Sequence, residues 1–286
     1  MPDGLGDRES MSETERKSLP SSLYTEEYFL TACEGYDVFI ESEGAHLSRR
    51  LHDAFALADV RPGMRVLDVG CGRGEILRHC MRLGVEAHGM DYAVAAARMS
   101  RDVVAAELQR SESGDERPSM QPGVLQADAK SLPFPSNYFD RALMFDVVEH
   151  LFPWELHQAY LEIGRVLKPG GRLIIHTAPN RWYDAYAYPW VRRVRMLMGQ
   201  GDAYPKDPRA ITPVNQDVHV NEQDLIRMRQ GLKQAGYTGI KVWLDSPPQN
   251  RDESALMAGL RRLAFDVPPF RWFFEREVFA VATTRK

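Results

Sequence analysis

The chain has 286 residues, of which 44% are hydrophobic and 27% are charged, and its formal net charge at pH 7 is −4. This length is enough to bury the core of one large domain with insertions. The slightly negative net charge provides no broad positive field for a phosphate backbone, so a nucleic acid is not the expected partner.

The N-terminal residues 1–22 are polar and contain Gly and Pro, and they predict a disordered tail before a folded domain that spans 23–286. The tail lacks the apolar segment of a secretory signal, and no stretch of about 18 apolar residues follows, so no membrane insertion is expected. The three cysteines, Cys33, Cys71 and Cys80, form no CxxC pair. Their spacing argues against a disulfide framework or a thiolate zinc site and favours a cytoplasmic location.

Within that domain, residues 23–60 place aromatic and leucine side chains at helical spacing and predict a helical cap. Short apolar segments then alternate with helical ones as far as residue 177. This alternation is typical of a parallel sheet with right-handed crossovers and helices on both faces. The predicted strands of this region are 64–69, 85–90, 123–126, 141–145 and 172–177, and the predicted helices are 75–83, 94–108 and 153–166.

The C-terminal third departs from this alternation. Residues 178–220 predict an insertion over the binding edge of the sheet, and five large aromatic residues lie between 182 and 190. We interpret these aromatics as a lid over the substrate, with packing inside the insertion as the alternative. With two further strands, the chain predicts an α/β, Rossmann-like, seven-stranded and mostly parallel sheet. The remaining predicted elements are a helix capped by Asn221 that ends at Gly236, strands at 240–244 and 277–283, and a second insertion at 246–274 with a helix near 254–264.

The densest basic cluster in the middle of the chain consists of Arg192, Arg193 and Arg195, inside the first insertion. These side chains could face an acidic substrate, or they form a solvated helix face. The sequence leaves both interpretations open.

The most informative segment is the glycine-rich turn after the first strand, Asp68-Val69-Gly70-Cys71-Gly72-Arg73-Gly74-Glu75. Glycines let the backbone turn tightly and let a ligand approach it. A dinucleotide fingerprint would have a third glycine at position 75, where a carboxylate would instead repel a pyrophosphate. A cationic ligand without phosphate would be favoured by Asp68. The segment resembles motif I of the class I, Rossmann-like, S-adenosylmethionine-dependent methyltransferases of the small-molecule type.

This resemblance implies S-adenosyl-L-methionine as the cofactor, and later segments match the family in order over residues 62–177. Asp91 ends the second strand about twenty residues after the turn and resembles the acid that accepts from the ribose diol. Asp128 is similar to the acid at the adenine edge. The implied cofactor-binding residues are Asp68, Gly70, Cys71, Gly72, Gly74, Asp91, Tyr92, Asp128, Ala129 and Phe145.

The aromatic residues Tyr28, Phe29 and Tyr36 resemble the cap that family members fold over the cofactor, where an aromatic face also favours a sulfonium. Plain packing of the helices on the sheet is the alternative interpretation.

The candidate chemistry begins with Asp146, Glu149 and His150, which share one face of a helical turn at the end of the fourth strand. His150 is a candidate general base oriented by a carboxylate. The pattern D-x-x-E-H is also similar to the E-x-x-E-H of ubiquinone-biosynthesis O-methyltransferases, which is associated with a divalent metal, although Asp replaces the first Glu here. A third interpretation is that Glu149 and His150 only cap the turn.

His219 is the second candidate base, because many small-molecule methyltransferases carry a histidine at a similar place; capping of the next helix is the alternative. We therefore expect His150, His219 and Asp146 to be catalytic and no metal to be required. His79, His88 and His176 lie inside predicted elements and are expected to be structural.

The predicted function is methyl transfer to an oxygen or nitrogen of a small molecule such as a sugar or polyketide. The alternatives are a protein or RNA methyltransferase and a protein that binds S-adenosylmethionine without catalysis. The expected partner is a small-molecule substrate, with no nucleic acid and no membrane.

Overall fold

The computed structural model describes residues 17–112, 122–245 and 267–285, together with residues 259, 262 and 265. In this part of the chain the strands form one seven-stranded sheet. They are β1 (Arg65–Val69), β2 (Glu86–Asp91), β3 (Gly123–Gln126), β4 (Phe139–Phe145), β5 (Leu167–Thr177), β6 (Thr238–Asp245) and β7 (Glu277–Thr283).

The strand order is β3-β2-β1-β4-β5-β7-β6. Strands β1 to β5 run parallel to one another. Strand β7 is antiparallel to both of its neighbours, β5 and β6. The predicted seven-stranded, mostly parallel Rossmann-like sheet is confirmed. Because the order reverses between β1 and β4, their carboxyl ends open a crevice of the kind in which such sheets bind ligands.

Helices cover both faces of the sheet. On one face α6 and α9 contribute Tyr160, Ile163 and Leu232 to the core, and on the other α3 and α4 contribute Phe55 and Leu77. The helices of the described residues are α1 (Glu26–Thr31), α2 (Tyr36–Ser42), α3 (Arg49–Ala56), α4 (Glu75–Arg82), α5 (Val94–Glu112), α6 (Pro153–Val166), α7 (Tyr188–Leu197), α8 (Asn215–Val218), α9 (Leu225–Gln234) and α10 (Phe270–Phe274).

The starts of α9 and β5 differ from the predictions for reasons that the structure shows. The helix α9 is capped by Asp224, whose carboxylate accepts from the N–H groups of Ile226 and Arg227, and not by Asn221. The backbone N–H of Asn221 instead donates to Glu149 O at 3.1 Å. Strand β5 begins at Leu167 and not at the predicted residue 172, because Leu167 already pairs with Phe139 of β4 before the register shifts.

The first insertion is more helical than predicted, since α7 follows a π-helical turn at Tyr183–Ala187. Pro189 is tolerated because it lies in the first turn of α7, where no helical hydrogen bond is lost. The predicted helix near 254–264 and most of the predicted tail fall outside the described residues. None of the described helices combines the length and hydropathy that a membrane-spanning segment requires.

Candidate active site

The glycine-rich turn after β1 forms one wall of a cavity at the carboxyl edge of the sheet. Gly70 has a φ of 78°, and a Cβ atom at this position would lie 2.3 Å from Cγ2 of Val147. No other residue fits there. The N–H groups of Gly70 and Cys71 donate to Met90 O at 2.8 and 3.0 Å. The turn is therefore fixed against the end of β2.

Asp91 ends β2 and lies beside the turn. Its Oδ2 accepts from Gly72 N at 3.1 Å, and its Oδ1 accepts from Ala93 N at 2.8 Å. Burial raises the pKa of Asp91 to about 6, although these backbone hydrogen bonds oppose the shift. Each carboxylate oxygen keeps a lone pair for a ligand in the cavity.

Asp68 lies in β1, the strand next to β2. Among the described residues, no group of opposite charge forms a hydrogen bond with its carboxylate. Burial, reinforced by the charges of Asp91 and Glu75, raises the pKa of Asp68 to about 8. A cation placed nearby would relieve this unfavourable environment. At pH 7 the Asp68 carboxyl is therefore largely protonated in the free protein, and it lines the cavity as a group that a bound cation would ionise.

The acidic residue at the start of α4 is paired, which corrects the sequence argument. Both Glu75 oxygens accept from the Arg73 guanidinium, at 2.9 and 3.1 Å, and both side chains are buried. The repulsion of a phosphate by Glu75 is therefore weaker than predicted, because Arg73 neutralises its charge.

Arg73 also holds the N-terminal helices over the cavity. Its guanidinium donates to Phe29 O at 2.8 Å, to Glu34 O at 2.6 Å and to Cys33 O at 3.4 Å. Tyr28 and Phe29 line the cavity as expected for an aromatic cap, whereas Tyr36 does not and is exposed. One arginine thus joins the glycine turn to the cap.

The far end of the cavity is lined by Asp128 and Lys130. Asp128 Oδ1 accepts from the backbone N–H of Lys130 at 2.9 Å, and the Lys130 ammonium lies 2.9 Å from Oδ2. The same ammonium donates to Glu155 at 2.7 Å. This chain of charges fixes the orientation of Asp128, which has Tyr92 and Ala129 as neighbours in the cavity wall.

Asp146 follows β4 and adopts a φ of 53°, which is unusual for a residue other than glycine. Its Oδ1 lies 2.9 Å from His176 Nδ1 and 3.9 Å from Arg50 Nη1. Burial opposes ionisation, but His176 and Arg50 outweigh it and lower the pKa of Asp146. Asp146 therefore carries a negative charge at neutral pH.

Glu149 has the opposite character. It is buried, and burial together with the charge of Asp146 raises its pKa above the ordinary value. Its Oε2 accepts from Thr177 Oγ1 at 2.7 Å. Its backbone oxygen accepts from Val220 and Asn221. Glu149 thus ties the end of β4 to the segment that carries His219.

His150 lies where this cluster meets the cavity. Its Nδ1 is 3.1 Å from Val218 O. Because a carbonyl oxygen only accepts hydrogen bonds, Nδ1 carries the proton and Nε2 keeps its lone pair. Burial lowers the pKa of His150 to about 4, although Val218 O and Asp146 oppose the shift.

His219 does not line the cavity but stands behind His150, with the two rings perpendicular and 5.0 Å apart. Burial, followed by the charge of His150, lowers its pKa to about 3. Its Nδ1 is buried and has no hydrogen-bond partner. Both imidazoles are therefore neutral at pH 7.

Glu149, His150 and His219 each direct one donor atom into a common space, and these atoms lie within 4.8 Å of one another. This set differs from the predicted metal alternative, because His219 replaces Asp146, which is engaged by His176 and Arg50.

The structure brings most of the predicted site together around a cavity of about 150 Å³. Gly74 is the cofactor-binding prediction that does not line it, since Gly74 caps α4 and packs against the Cα atom of Ser100. The predicted residues that line the cavity are Asp68, Gly70, Cys71, Gly72, Asp91, Tyr92, Asp128, Ala129, Phe145, Asp146 and His150.

Sequence reasoning missed Arg50, His176 and Lys130 as parts of the site. Lys130 follows Asp128 by two residues, and a positive charge so close to a predicted cofactor-binding acid could have identified it as a partner of Asp128. Arg50 in α3 and His176 in β5 lie far from Asp146 in sequence, and no local pattern indicates that they meet it.

Comparison with known proteins agrees with this geometry. The family described as "Methyltransferase domain" matches residues 67–175, which contain the turn, β2 and the end of β4. The ubiquinone/menaquinone biosynthesis C-methyltransferase UbiE of Burkholderia vietnamiensis (strain G4 / LMG 22486) is 27% identical over 252 residues. The match covers 82% of this chain and 90% of that protein.

Solved structures with the same fold include an S-adenosylmethionine-dependent methyltransferase from Archaeoglobus fulgidus. It has a TM-score of 0.51 and 18% identity, and the match covers 86% of this chain and 99% of that one. Another is phosphoethanolamine N-methyltransferase 2 of Haemonchus contortus in complex with S-adenosyl-L-methionine, with a TM-score of 0.52 and 16% identity. Here the match covers 92% of this chain and 60% of that one.

Proposed function

This chain is a class I S-adenosylmethionine-dependent methyltransferase, and we propose that its acceptor is a small molecule with an acidic hydroxyl group, a phenol or an enol. The observation that carries the proposal is a neutral imidazole, His150, in the wall of the cofactor cavity with Nε2 free to accept a proton.

The residues of the cavity fit S-adenosylmethionine. Asp91 keeps lone pairs for the two ribose hydroxyls, and Asp68 is a buried carboxyl that a cationic ligand would ionise and pair with. Asp128 is held by Lys130 with its carboxylate at the opposite end. When bound, the cofactor supplies an electrophilic methyl group on a sulfonium.

His150 is suited to deprotonate an acidic hydroxyl. Nε2 takes the hydroxyl proton, and the ionised Asp146 nearby stabilises the imidazolium that forms. The negative charge left on the acceptor oxygen, or on the conjugated carbon that shares it, would make that atom the nucleophile for the methyl group that the bound cofactor supplies. A carbon acceptor would afterwards lose its own proton to water.

The low basicity of His150 limits the class of acceptor. Its pKa of about 4 is closer to that of a phenol, about 10, than to that of water, about 15.7. A phenol or an enol is therefore favoured over a sugar alcohol. The same ionisation activates oxygen and a neighbouring carbon, which agrees with relatives that are named C-methyltransferases.

The test is formation of S-adenosylhomocysteine with matched panels of phenols, enols, alcohols and amines. We expect turnover with phenols or enols, and His150→Gln should lower kcat while leaving the affinity for S-adenosylmethionine within about twofold of the original. Turnover confined to amines or sugar alcohols, or an unchanged kcat in His150→Gln, would contradict the proposal.

A further inference from the structure

The outward face of α7 is apolar, the reverse of an ordinary surface helix. Trp190, Val194 and Leu197 are 62%, 52% and 89% exposed. Their spacing of four and three residues places them in one row along the helix. Exposed large apolar side chains in a contiguous row indicate an interaction surface.

The inward face of the same helix carries basic residues. Arg192 donates to Tyr204 O at 2.9 Å and Arg195 donates to Gln200 at 2.7 Å, and both arginines are half-buried. These two arginines thus hold α7 to the segment that follows it in the insertion, while the apolar row of α7 faces outwards.

Further aromatic residues extend this row. Tyr186, one turn before Trp190, is 60% exposed, and its ring packs edge-on against Phe273 of α10 at 5.5 Å. Two neighbours of Phe273 in α10, Phe270 and Trp272, are also exposed. We call the row Tyr186, Trp190, Val194 and Leu197 the α7 face.

The charge around the α7 face is positive. Residues 188–201 contain three arginines and no Asp or Glu. Within the described part of the chain, Arg192, Arg193 and Arg195 form no ion pair with a carboxylate. The exposed guanidinium of Arg193 lies over the Trp190 ring, 5.0 Å from its centre. Of the three arginines, Arg193 is the exposed one, so the α7 face carries one positive charge that no carboxylate among the described residues pairs with.

We propose that the α7 face docks on an anionic lipid bilayer. Trp and Tyr side chains prefer the headgroup level, Val and Leu enter the acyl region, and arginine extends to lipid phosphate. A second copy of the chain is the less favoured occupant, because a symmetric contact of two α7 faces would bring a second exposed Arg193 towards the first.

The insertion that carries the α7 face is connected to the carboxyl edge of the sheet. The insertion follows β5 at the carboxyl edge, where the cavity lies, and Arg209 of the insertion donates to His219 O at 3.4 Å. The proposal concerns binding alone and does not depend on which acceptor is methylated.

The experiment is flotation of the full chain with vesicles of phosphatidylcholine alone and of phosphatidylcholine with phosphatidylglycerol. We expect binding to the anionic vesicles that weakens with salt. The variant Trp190→Ser/Leu197→Ser should bind about 10-fold more weakly or worse, because it removes apolar side chains from the bilayer. Arg193→Glu should bind at least about 5-fold more weakly.

The control substitutions lie on another helix, α9. Ile226→Ser replaces an apolar residue that is 54% exposed, and Lys233→Glu makes the same charge change as Arg193→Glu. Both should bind vesicles as the original protein does. Methyl transfer to a water-soluble acceptor should be unchanged in all variants, because none of the substituted residues lines the cavity.

Three results would overturn the proposal: no binding to anionic vesicles, equal binding to the neutral vesicles, or equal losses in the controls and in the α7 variants. Sedimentation velocity provides a fourth. A dimer of the original protein that dissociates in Trp190→Ser/Leu197→Ser would show that the α7 face is an interface between two copies.

Discussion

Replacing Arg73 by Met tests whether one buried ion pair holds the cap over the cavity. The substitution keeps an apolar stem but removes the guanidinium that bonds Glu75 at 2.9 and 3.1 Å, Phe29 O at 2.8 Å and Glu34 O at 2.6 Å. Two elements lose their connection at once, because Phe29 and Glu34 belong to the cap and Glu75 begins α4.

The expected loss follows from the burial of both partners. Breaking a buried pair and leaving its carboxylate unpaired destabilises a protein by about 3–5 kcal/mol. Burial already raises the pKa of Glu75 against the opposing charge of Arg73, so protonation relieves part of the loss, and we expect about 3 kcal/mol at pH 7. Adding Glu75→Gln should recover about 1 kcal/mol or more, since no unpaired charge remains.

Urea unfolding measures this loss, and calorimetric titration measures the affinity for S-adenosylmethionine, which should fall about 10-fold, or about 1.4 kcal/mol. The matched control is Arg65→Met, which breaks the more exposed pair with Glu86 at 3.0 Å, at the amino-terminal edge of the sheet, where the side chains are 41% and 16% exposed. It should change stability by less than about 1 kcal/mol. If Arg73→Met behaves as Arg65→Met does in both measurements, the role of Arg73 in holding the cap over the cavity is refuted.

Three further results are expected. His219→Gln should lower kcat less than His150→Gln, because His219 stands behind the cavity wall; equal rates for both variants and the original protein would remove the imidazoles from the mechanism. Since burial raises the pKa of Asp68 to about 8, above about 3.9 in the unfolded chain, the free protein takes up a proton on folding, and its unfolding free energy should fall as pH rises from about 4 to 8. Affinity for the cationic cofactor should correspondingly increase between pH 6 and 7.5, and Asp68→Asn should flatten this titration; an identical slope in both proteins would refute the role of Asp68. EDTA should leave turnover unchanged, because a base whose lone pair is bound to a metal cannot take a proton; a loss that Mn²⁺ restores would establish a metal at Glu149, His150 and His219.

The cofactor half of the site could be predicted from the sequence because its parts are local. Gly70 and Asp91 belong to one strand-helix-strand unit, whose geometry fixes where the turn and the end of β2 meet. The backbone requires the glycine at position 70, and the acid at the strand end lines the cavity where we propose that the ribose binds, so their residue types carry the signal.

The acceptor half could not be predicted in the same way, because its contacts are distant in sequence. Arg50 from α3 and His176 from β5 converge on Asp146. No pattern in their own segments predicts these contacts. The predicted start of α9 was wrong for a related reason. Asn221 and Asp224 are both good helix caps, and the choice is made by Glu149, whose backbone oxygen binds the N–H of Asn221.

The position of the insertion and its aromatic residues predict a lid over the substrate. In the structure, these aromatic side chains do not line the cavity. Tyr188 is buried against the insertion and donates to Pro205 O at 2.8 Å, whereas Trp190 faces outwards. Composition alone could not separate these two residues, because their burial depends on the direction in which α7 packs.

The most direct test of the account is calorimetric titration of the protein and of its Asp91→Ala variant with S-adenosylmethionine. We expect the original protein to bind and the variant to bind about 100-fold more weakly, since two hydrogen bonds from the ribose to a charged group contribute about 3 kcal/mol or more. Failure of the original protein to bind this ligand, or equal affinity in Asp91→Ala, would contradict the assignment of the cavity.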